Sequence, residues 1–494
     1  MHPLARLDHR YVWHPFTQMR DWLRQEPIVI VSGRGSRLYD VHGREFLDAN
    51  SSIWTNLHGH NHPRLNAALT RQLRKIAHSS ALGLANEPAA RLAAELVRAA
   101  RTPRASGPAL TKVFYSDDGS TALEVALKLA YEFTRRTRGP GSRPRFLSLE
   151  GAYHGDTLGA VALGHIPLFH RTWRKLLFPT DTVMAPYCYR CPFNRARPER
   201  ADARTYRQCR WECVDAVAGR LEQQKKRRGE PYAAFVLEPL IQGAAGMIPQ
   251  PTGWLARVSE LARAQGVLLI ADEVMTGFGR TGLPEPRRLS ASHAPLFACQ
   301  HEKVRPDFLC LAKGLTGGYL PLAATLTTRA VFDAFLGRYD EFKTFFHGHS
   351  YTANQLGTAT ALENLKLLQS RGSFRARIRL QECLARELAA LWAVPQVGDI
   401  RQVGLVAGVE LVRDWTTREP FDLREQAGIR VCQAMARRGV LTRPIGNVVV
   451  LMPPYCTRPR EVRQIIHTLA EACEEVFGKT PPRGRSGTGR RVRP

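Results

Sequence analysis

Lys313 lies in Leu311-Ala312-Lys313-Gly314-Leu315, directly after a short apolar run. Burial at such a place lowers a lysine's pKa and leaves a neutral amine able to attack an aldehyde. Asp272 closes the preceding apolar run, Gly266 to Ala271. A carboxylate there suits a heterocyclic nitrogen that must stay protonated, although a helix N-cap aspartate is common after a strand. Gly119-Ser120 opens a helical pattern, where free N–H groups and the helix dipole favour a phosphate. Tyr153, in Tyr153-His154-Gly155-Asp156-Thr157, follows another apolar run and could stack on a flat ring. Taken singly, a turn lysine, a capping aspartate, a capping serine and a core tyrosine are adequate readings.

Taken together they form an order of phosphate cradle, stacking aromatic, acid and amine. Pyridoxal 5′-phosphate (PLP) uses all four, because its ring draws electrons from a bound amine when the ring nitrogen is protonated.

The elements that must position these residues alternate. Residues 113–116 read as a strand running into a helix over 121–133. Further strands are expected at 145–149, 233–237, 266–271, 308–312 and 322–326. Strands alternating with helices imply an α/β fold whose mostly parallel sheet is covered on both faces. Ligands in such sheets sit beyond the carboxyl ends of the strands, where all four chemical positions fall. From about residue 346 the pattern changes to helices over 353–369 and 378–392 and strands at 405–411 and 448–451, a smaller α+β domain. The expected division is an N-terminal segment, 1–75, packing with the small domain; a large PLP-binding domain, 76–345; the small domain, 346–478; and a tail, 479–494.

The chain has 494 residues, 44% of them hydrophobic, and a formal charge of +27. Clustered Lys and Arg would suggest nucleic acid. Here Arg is scattered and no nucleic-acid motif accompanies it, so no nucleic-acid partner is expected. The end, 480–494, is basic and rich in Pro and Gly and cannot bury a core. Residues 1–10 hold no apolar signal region, and no run nears the ~18 apolar residues of a membrane helix. A soluble, cytoplasmic protein without a membrane partner is expected. Cys188, Cys191, Cys209 and Cys213 cluster in an Arg-rich excursion over 180–231. The cluster could be a structural zinc or iron–sulfur site, but the final C-x3-C spacing suits a zinc knuckle poorly, so no metal is assigned, and metal binding, reduced thiols and disulfides remain open.

The segment Ala271-Asp272-Glu273-Val274-Met275-Thr276-Gly277-Phe278-Gly279-Arg280-Thr281-Gly282, with Lys313-Gly314 and Gly317-Gly318-Tyr319-Leu320-Pro321, resembles the signature of class III (ω-) aminotransferases. The similarity runs from about Trp13 to Pro454. It implies PLP fold type I, with a mostly parallel seven-stranded sheet, and a homodimer with active sites at the subunit interface. Trp13-His14-Pro15-Phe16-Thr17-Gln18-Met19, Ser51-Ser52-Ile53-Trp54, His58-Gly59-His60-Asn61-His62-Pro63, Thr442-Arg443-Pro444 and Leu451-Met452-Pro453-Pro454-Tyr455 are similar to one branch of the family. That branch aminates 8-amino-7-oxononanoate in biotin biosynthesis.

The resemblance implies roles position by position. Lys313 would hold PLP covalently and shuttle a proton, and Asp272 would pair with the ring nitrogen. Gly119 and Ser120 would bind the phosphate, with His349 and Ser350 contributing from the partner subunit. Tyr153 would stack near the ring and line the substrate pocket. Arg443 would pair with the substrate carboxylate, and Phe16, Ile53, Trp54 and Gly348 would line the rest. S-adenosylmethionine is the implied donor. Lysine is the alternative donor, because Phe16, Ile53 and His349-Ser350 stand where users of S-adenosylmethionine often carry Tyr, Trp and Pro-Thr; another class III ω-aminotransferase reaction is the other alternative.

Overall fold

The computed structural model describes residues 1–283 and 294–478; the basic tail lies outside them. Seven strands form the largest sheet, in the order Leu110–Ser116, Ala323–Thr328, Phe308–Leu311, Leu268–Asp272, Ala234–Leu237, Phe146–Leu149 and Asp181–Val183. Strand 323–328 runs antiparallel to both neighbours, and the other pairs are parallel. Strands 146–149, 234–237 and 308–311 are buried at every position, which is why they read as unbroken apolar runs rather than alternating ones. Six of these strands lie within two or three residues of their expected bounds, and Asp181–Val183 is not among those expected.

The helix Gly119–Arg138 starts earlier than its apolar pattern suggests. Asp118 is its N-cap: the carboxylate accepts from Thr121 N–H at 2.8 Å, while Thr121 reaches back to the Asp118 N–H. This capping box places Gly119 and Ser120 in the first turn, where their N–H groups have no helical partner. Arg135, Arg136 and Arg138 in the last turn complement the dipole. The helix expected over 378–392 instead spans Arg371–Leu388 and tightens into a 3-10 turn, Ala389–Ala393.

Two smaller sheets flank this core. Val397–Val403, Val406–Asp414, Val448–Leu451 and Pro444–Ile445 pair antiparallel. Ile30–Arg34, Arg37–Asp40 and Glu45–Asp48 form a meander whose last strand is joined, in parallel, by Val440–Leu441 from near the other end of the chain.

The segment 180–231 is not the solvent-facing excursion that its composition suggests. It begins with the edge strand Asp181–Val183, and helix Glu212–Arg228 then supplies the crossover back to the parallel strand Ala234–Leu237 of the same sheet. Tyr187 and Arg190 tie it to strand Val406–Asp414, where Tyr187 Oη and Arg190 Nε both donate to Glu410. Arg401, 1% exposed, donates to Asp399 at 3.1 Å, Glu410 at 2.5 Å and the Gly246 carbonyl at 2.8 Å. Burial opposes ionisation of Glu410, but Arg401 and Arg190 hold its carboxyl below the usual range.

Removing one member of such a network strands a buried charge. Arg401→Met should lower unfolding stability by about 3–5 kcal/mol, read by denaturant titration; a loss under about 1 kcal/mol would show that the network is not needed.

Candidate active site

A cleft of about 680 Å³ opens beyond the carboxyl ends of the large sheet. Phe16, Ile53, Trp54, Gly119, Ser120, Tyr153, Asp272, Lys313 and Arg443 all line it. Lys313 and Asp272 therefore face one cavity.

Asp272 ends its strand and is 5% exposed. Its Oδ1 accepts from Val274 N–H at 3.0 Å, and its Oδ2 meets His154 Nδ1 at 2.7 Å. These contacts fix the carboxylate's orientation, while His154 Nε2 is buried without a partner. Lys313 follows strand 308–311 by two residues and opens a 3-10 turn with φ of +43°. Burial pushes its ammonium below the usual range, and the charges of Asp272 and Glu238 pull it partly back. Its Nζ sits 4.6 Å from the centre of the Trp54 ring.

Gly119 has no room for a side chain, since a Cβ there would lie 2.7 Å from Val274 Cγ1. Ser120 Oγ accepts from Asp156 N–H at 3.0 Å, leaving its own proton to donate. Gly155, at φ of +121°, closes over Ser120 so tightly that a Cβ would come within 2.0 Å of Oγ. The first turn of the helix is thus a cradle of bare backbone and one hydroxyl. Tyr153 lies near-parallel to the His170 ring, with centroids 6.2 Å apart, and its Oη donates to Asp156 at 2.8 Å. Burial pushes its phenol up, and Asp156 adds to that. Phe16 packs edge-on against Phe169 at 5.3 Å. Arg443 makes no ion pair among the described residues and is exposed within the cleft, a free planar donor.

Gly348, His349 and Ser350 do not line this cleft. His349 Nε2 stands 3.3 Å from Asp117, and Ser350 is exposed. The four clustered cysteines surround a separate pocket of about 10 Å³. They form no disulfide, and the described residues contain no group of three side chains placed to hold a metal.

Two residues escaped the sequence reading. Glu238 directly follows strand 234–237 and accepts from Gly243 N–H at 2.7 Å. The strand-end rule that selects Asp272 would have selected it too. His154 is inside a motif read for its tyrosine, and nothing in sequence spacing pairs it with Asp272.

A mostly parallel sheet with a half-buried lysine, a strand-end acid and a glycine-floored cradle in one cleft is the arrangement of an amine-transferring enzyme. The chain belongs to the class-III aminotransferases, a PLP-dependent family whose model matches residues 19–473. It is 46% identical to the adenosylmethionine-8-amino-7-oxononanoate aminotransferase of Geobacter sulfurreducens, over 95% of this chain and 97% of that one. The crystal structure of the Methanocaldococcus jannaschii enzyme of the same name superposes with a TM-score of 0.84 at 37% identity, covering 96% and 98% of the two chains. The ω-transaminase of Pseudomonas jessenii in complex with PMP gives 0.84 at 27%, again over 96% and 98%.

Burial pushes the Glu238 carboxyl up to about 7. A raised value means that the fold holds this proton more tightly than the unfolded chain. The contribution is full below the ordinary 4.5 and is lost as pH rises through about 7. Above that, ionised Glu238 favours the Lys313 ammonium. Glu238→Gln should therefore move the midpoint of Lys313 reactivity to lower pH, by on the order of one unit. Reductive trapping of the cofactor-free protein with formaldehyde, mapped by peptide mass, measures it. A midpoint that stays or rises refutes the coupling.

Proposed function

We propose that the protein transfers an amino group to 8-amino-7-oxononanoate, giving 7,8-diaminononanoate for biotin biosynthesis, with S-adenosylmethionine as donor and PLP as cofactor. The observation that carries this is the meeting of Lys313, Asp272 and Arg443 in one cleft. The curated relatives of that name reinforce it.

The residues present fit PLP. Gly119, whose absent Cβ leaves the helix N–H groups open, and Ser120 would hold the phosphate. Asp272, oriented by His154 and the Val274 N–H, would keep a proton on the ring nitrogen. Lys313, with its pKa lowered by burial, would bind covalently through its amine. Bound there, PLP supplies an electrophilic carbon and a ring that accepts electrons from the substrate carbon.

The chain's own residues do the rest. Lys313, displaced by the donor amine, takes a proton from the substrate carbon and returns it elsewhere, as a general base and then a general acid. Arg443 receives the carboxylate of the keto acid, a contact suited to a planar guanidinium. Trp54, Ile53 and Phe16 give the cleft an apolar wall that fits a long aliphatic chain and excludes water. The two substrates use the same cleft in turn, so ping-pong kinetics follow. His349 and Ser350, absent from this chain's cleft, are assigned to the partner's cleft in a homodimer, and the site is placed in the cytoplasm. Among the described residues no helix is long and apolar enough to cross a membrane.

Phe16 and Ile53 line the cleft, and both depart from the pattern of S-adenosylmethionine users. That favours lysine as the second reading for the donor. Single-turnover half-reactions with each amine decide between them: conversion by S-adenosylmethionine supports the first reading and conversion by lysine alone the second. Conversion by γ-aminobutyrate alone overturns both.

Arg443→Ala should raise KM for 8-amino-7-oxononanoate roughly 10–100-fold, the worth of a charge-assisted pair, with a smaller change in kcat. An unchanged KM removes Arg443 from the carboxylate.

A further inference from the structure

Ser51, Ser52, Ile53 and Trp54 carry φ values of +47°, +47°, +63° and +69°. None is glycine. In this region an L-residue's Cβ crowds the following carbonyl, and single residues tolerate it better than runs do. Ile53 is β-branched and tolerates it least. Trp54 N–H donates to the Asn50 carbonyl and Thr55 N–H to the Ser51 carbonyl, each at 2.9 Å. The segment is one turn of left-handed helix, and it presents Ile53 and Trp54 to the cleft.

Such a turn persists only where its surroundings over-determine it. Asp48, 3% exposed, is the chief restraint. Its Oδ1 accepts from Ser52 N–H at 3.0 Å and from Asn50 N–H at 3.2 Å. Its Oδ2 accepts from Ser52 Oγ at 2.9 Å and meets His60 Nε2 at 2.9 Å. Ser51 Oγ pins the other side, donating to the Met452 carbonyl at 2.6 Å. Asp48 also ends the strand that pairs with Leu441, two residues before Arg443. The Trp54 ring so delivered is packed behind as well, since a Cβ on Gly243 would lie 3.3 Å from Trp54 Cζ3.

We propose that Asp48 is a positioning residue for the amine-transfer reaction: it stakes down the left-handed turn that holds the Trp54 ring over Lys313. Asp48 itself touches neither Lys313 nor any other residue that handles the amine. It acts through the turn, which fixes the apolar cover of the reactive amine and the wall of the substrate cleft. The inference rests on the functional reading above for the reaction, though not for the geometry of the turn.

A double-mutant cycle tests it. Asp48→Ala should lower kcat/KM roughly 10–100-fold, the scale of a small misplacement at a reacting centre. In a Trp54→Ala background the same change should cost less than about threefold, because the two residues act as one unit. The second readout is the near-UV circular dichroism of Trp54, isolated as the difference between each protein and its Trp54→Phe counterpart. It is taken on the purified protein without substrate, so it does not depend on which donor or acceptor is correct. Asp48→Ala should collapse that difference signal. Ser52→Ala, which deletes only the contact to Oδ2, should weaken it partly, and both readouts carry over to it if Asp48→Ala does not fold. Additive losses in kcat/KM, or a Trp54 signal that survives loss of the Asp48 contacts, overturn the proposal.

Discussion

The proposed function asks an amine to act as a nucleophile near neutral pH, and the desolvated setting of Lys313 works toward that by lowering its pKa. Burial penalises the ammonium, but the same low-dielectric cleft holds Asp272 and Glu238, whose charges favour it. The balance sets the arrangement of the site. Asp272 is held by two fixed contacts, the Val274 N–H and His154 Nδ1. Glu238, with its carboxyl raised to about 7, withholds its charge over the lower half of the neutral range. Burial dominates at Glu238, and the hydrogen bonds it accepts from the Gly243 and Tyr153 N–H groups pull its carboxyl only partly back.

Much of this was legible in the sequence because the chemistry sits where strands end. Uninterrupted apolar runs mark parallel strands, and the first polar residue after a run faces the ligand edge. That logic reaches Asp272 and Lys313 directly, and Glu238 by the same step. It fails for contacts between distant segments. The His154–Asp272 contact spans 118 residues, and no local pattern encodes it. The left-handed turn at 51–54 carries no glycine to announce it, and its stability lies in Asp48 and a carbonyl 401 residues away. The approach of Gly348–Ser350 to a cleft cannot be read from one chain, whose own cleft they do not line.

The arginine excess, which composition alone leaves without purpose, is in part structural. Arg280, Arg377 and Arg401 are among the largest fully buried side chains. Arg280 donates to the carbonyls of Pro453 and Asn56, joining the Asp272 loop to the segments that carry Trp54 and Tyr455. Arg377 reaches the Leu368 carbonyl, and Gly279 at φ of +84° leaves it space, for a Cβ there would lie 2.2 Å from Nη1. A guanidinium offers five donors in a rigid plane, so it can satisfy several stranded carbonyls where chain segments meet without helical or sheet partners.

These ties matter because the site belongs to no single sheet. The large sheet contributes Lys313 and Asp272, the N-terminal meander leads into Ile53 and Trp54, and the strands near 440–451 carry Arg443. The meander and Arg443 share a backbone link, since Val440–Leu441 pairs in parallel with Leu47 and Asp48. A shift of that strand pair would move the apolar wall and Arg443 together relative to Lys313. On the proposed function, the span between a substrate carboxylate and the reacting carbon crosses this junction of sheets. Asp48 on one side and Arg280 on the other tie the junction together.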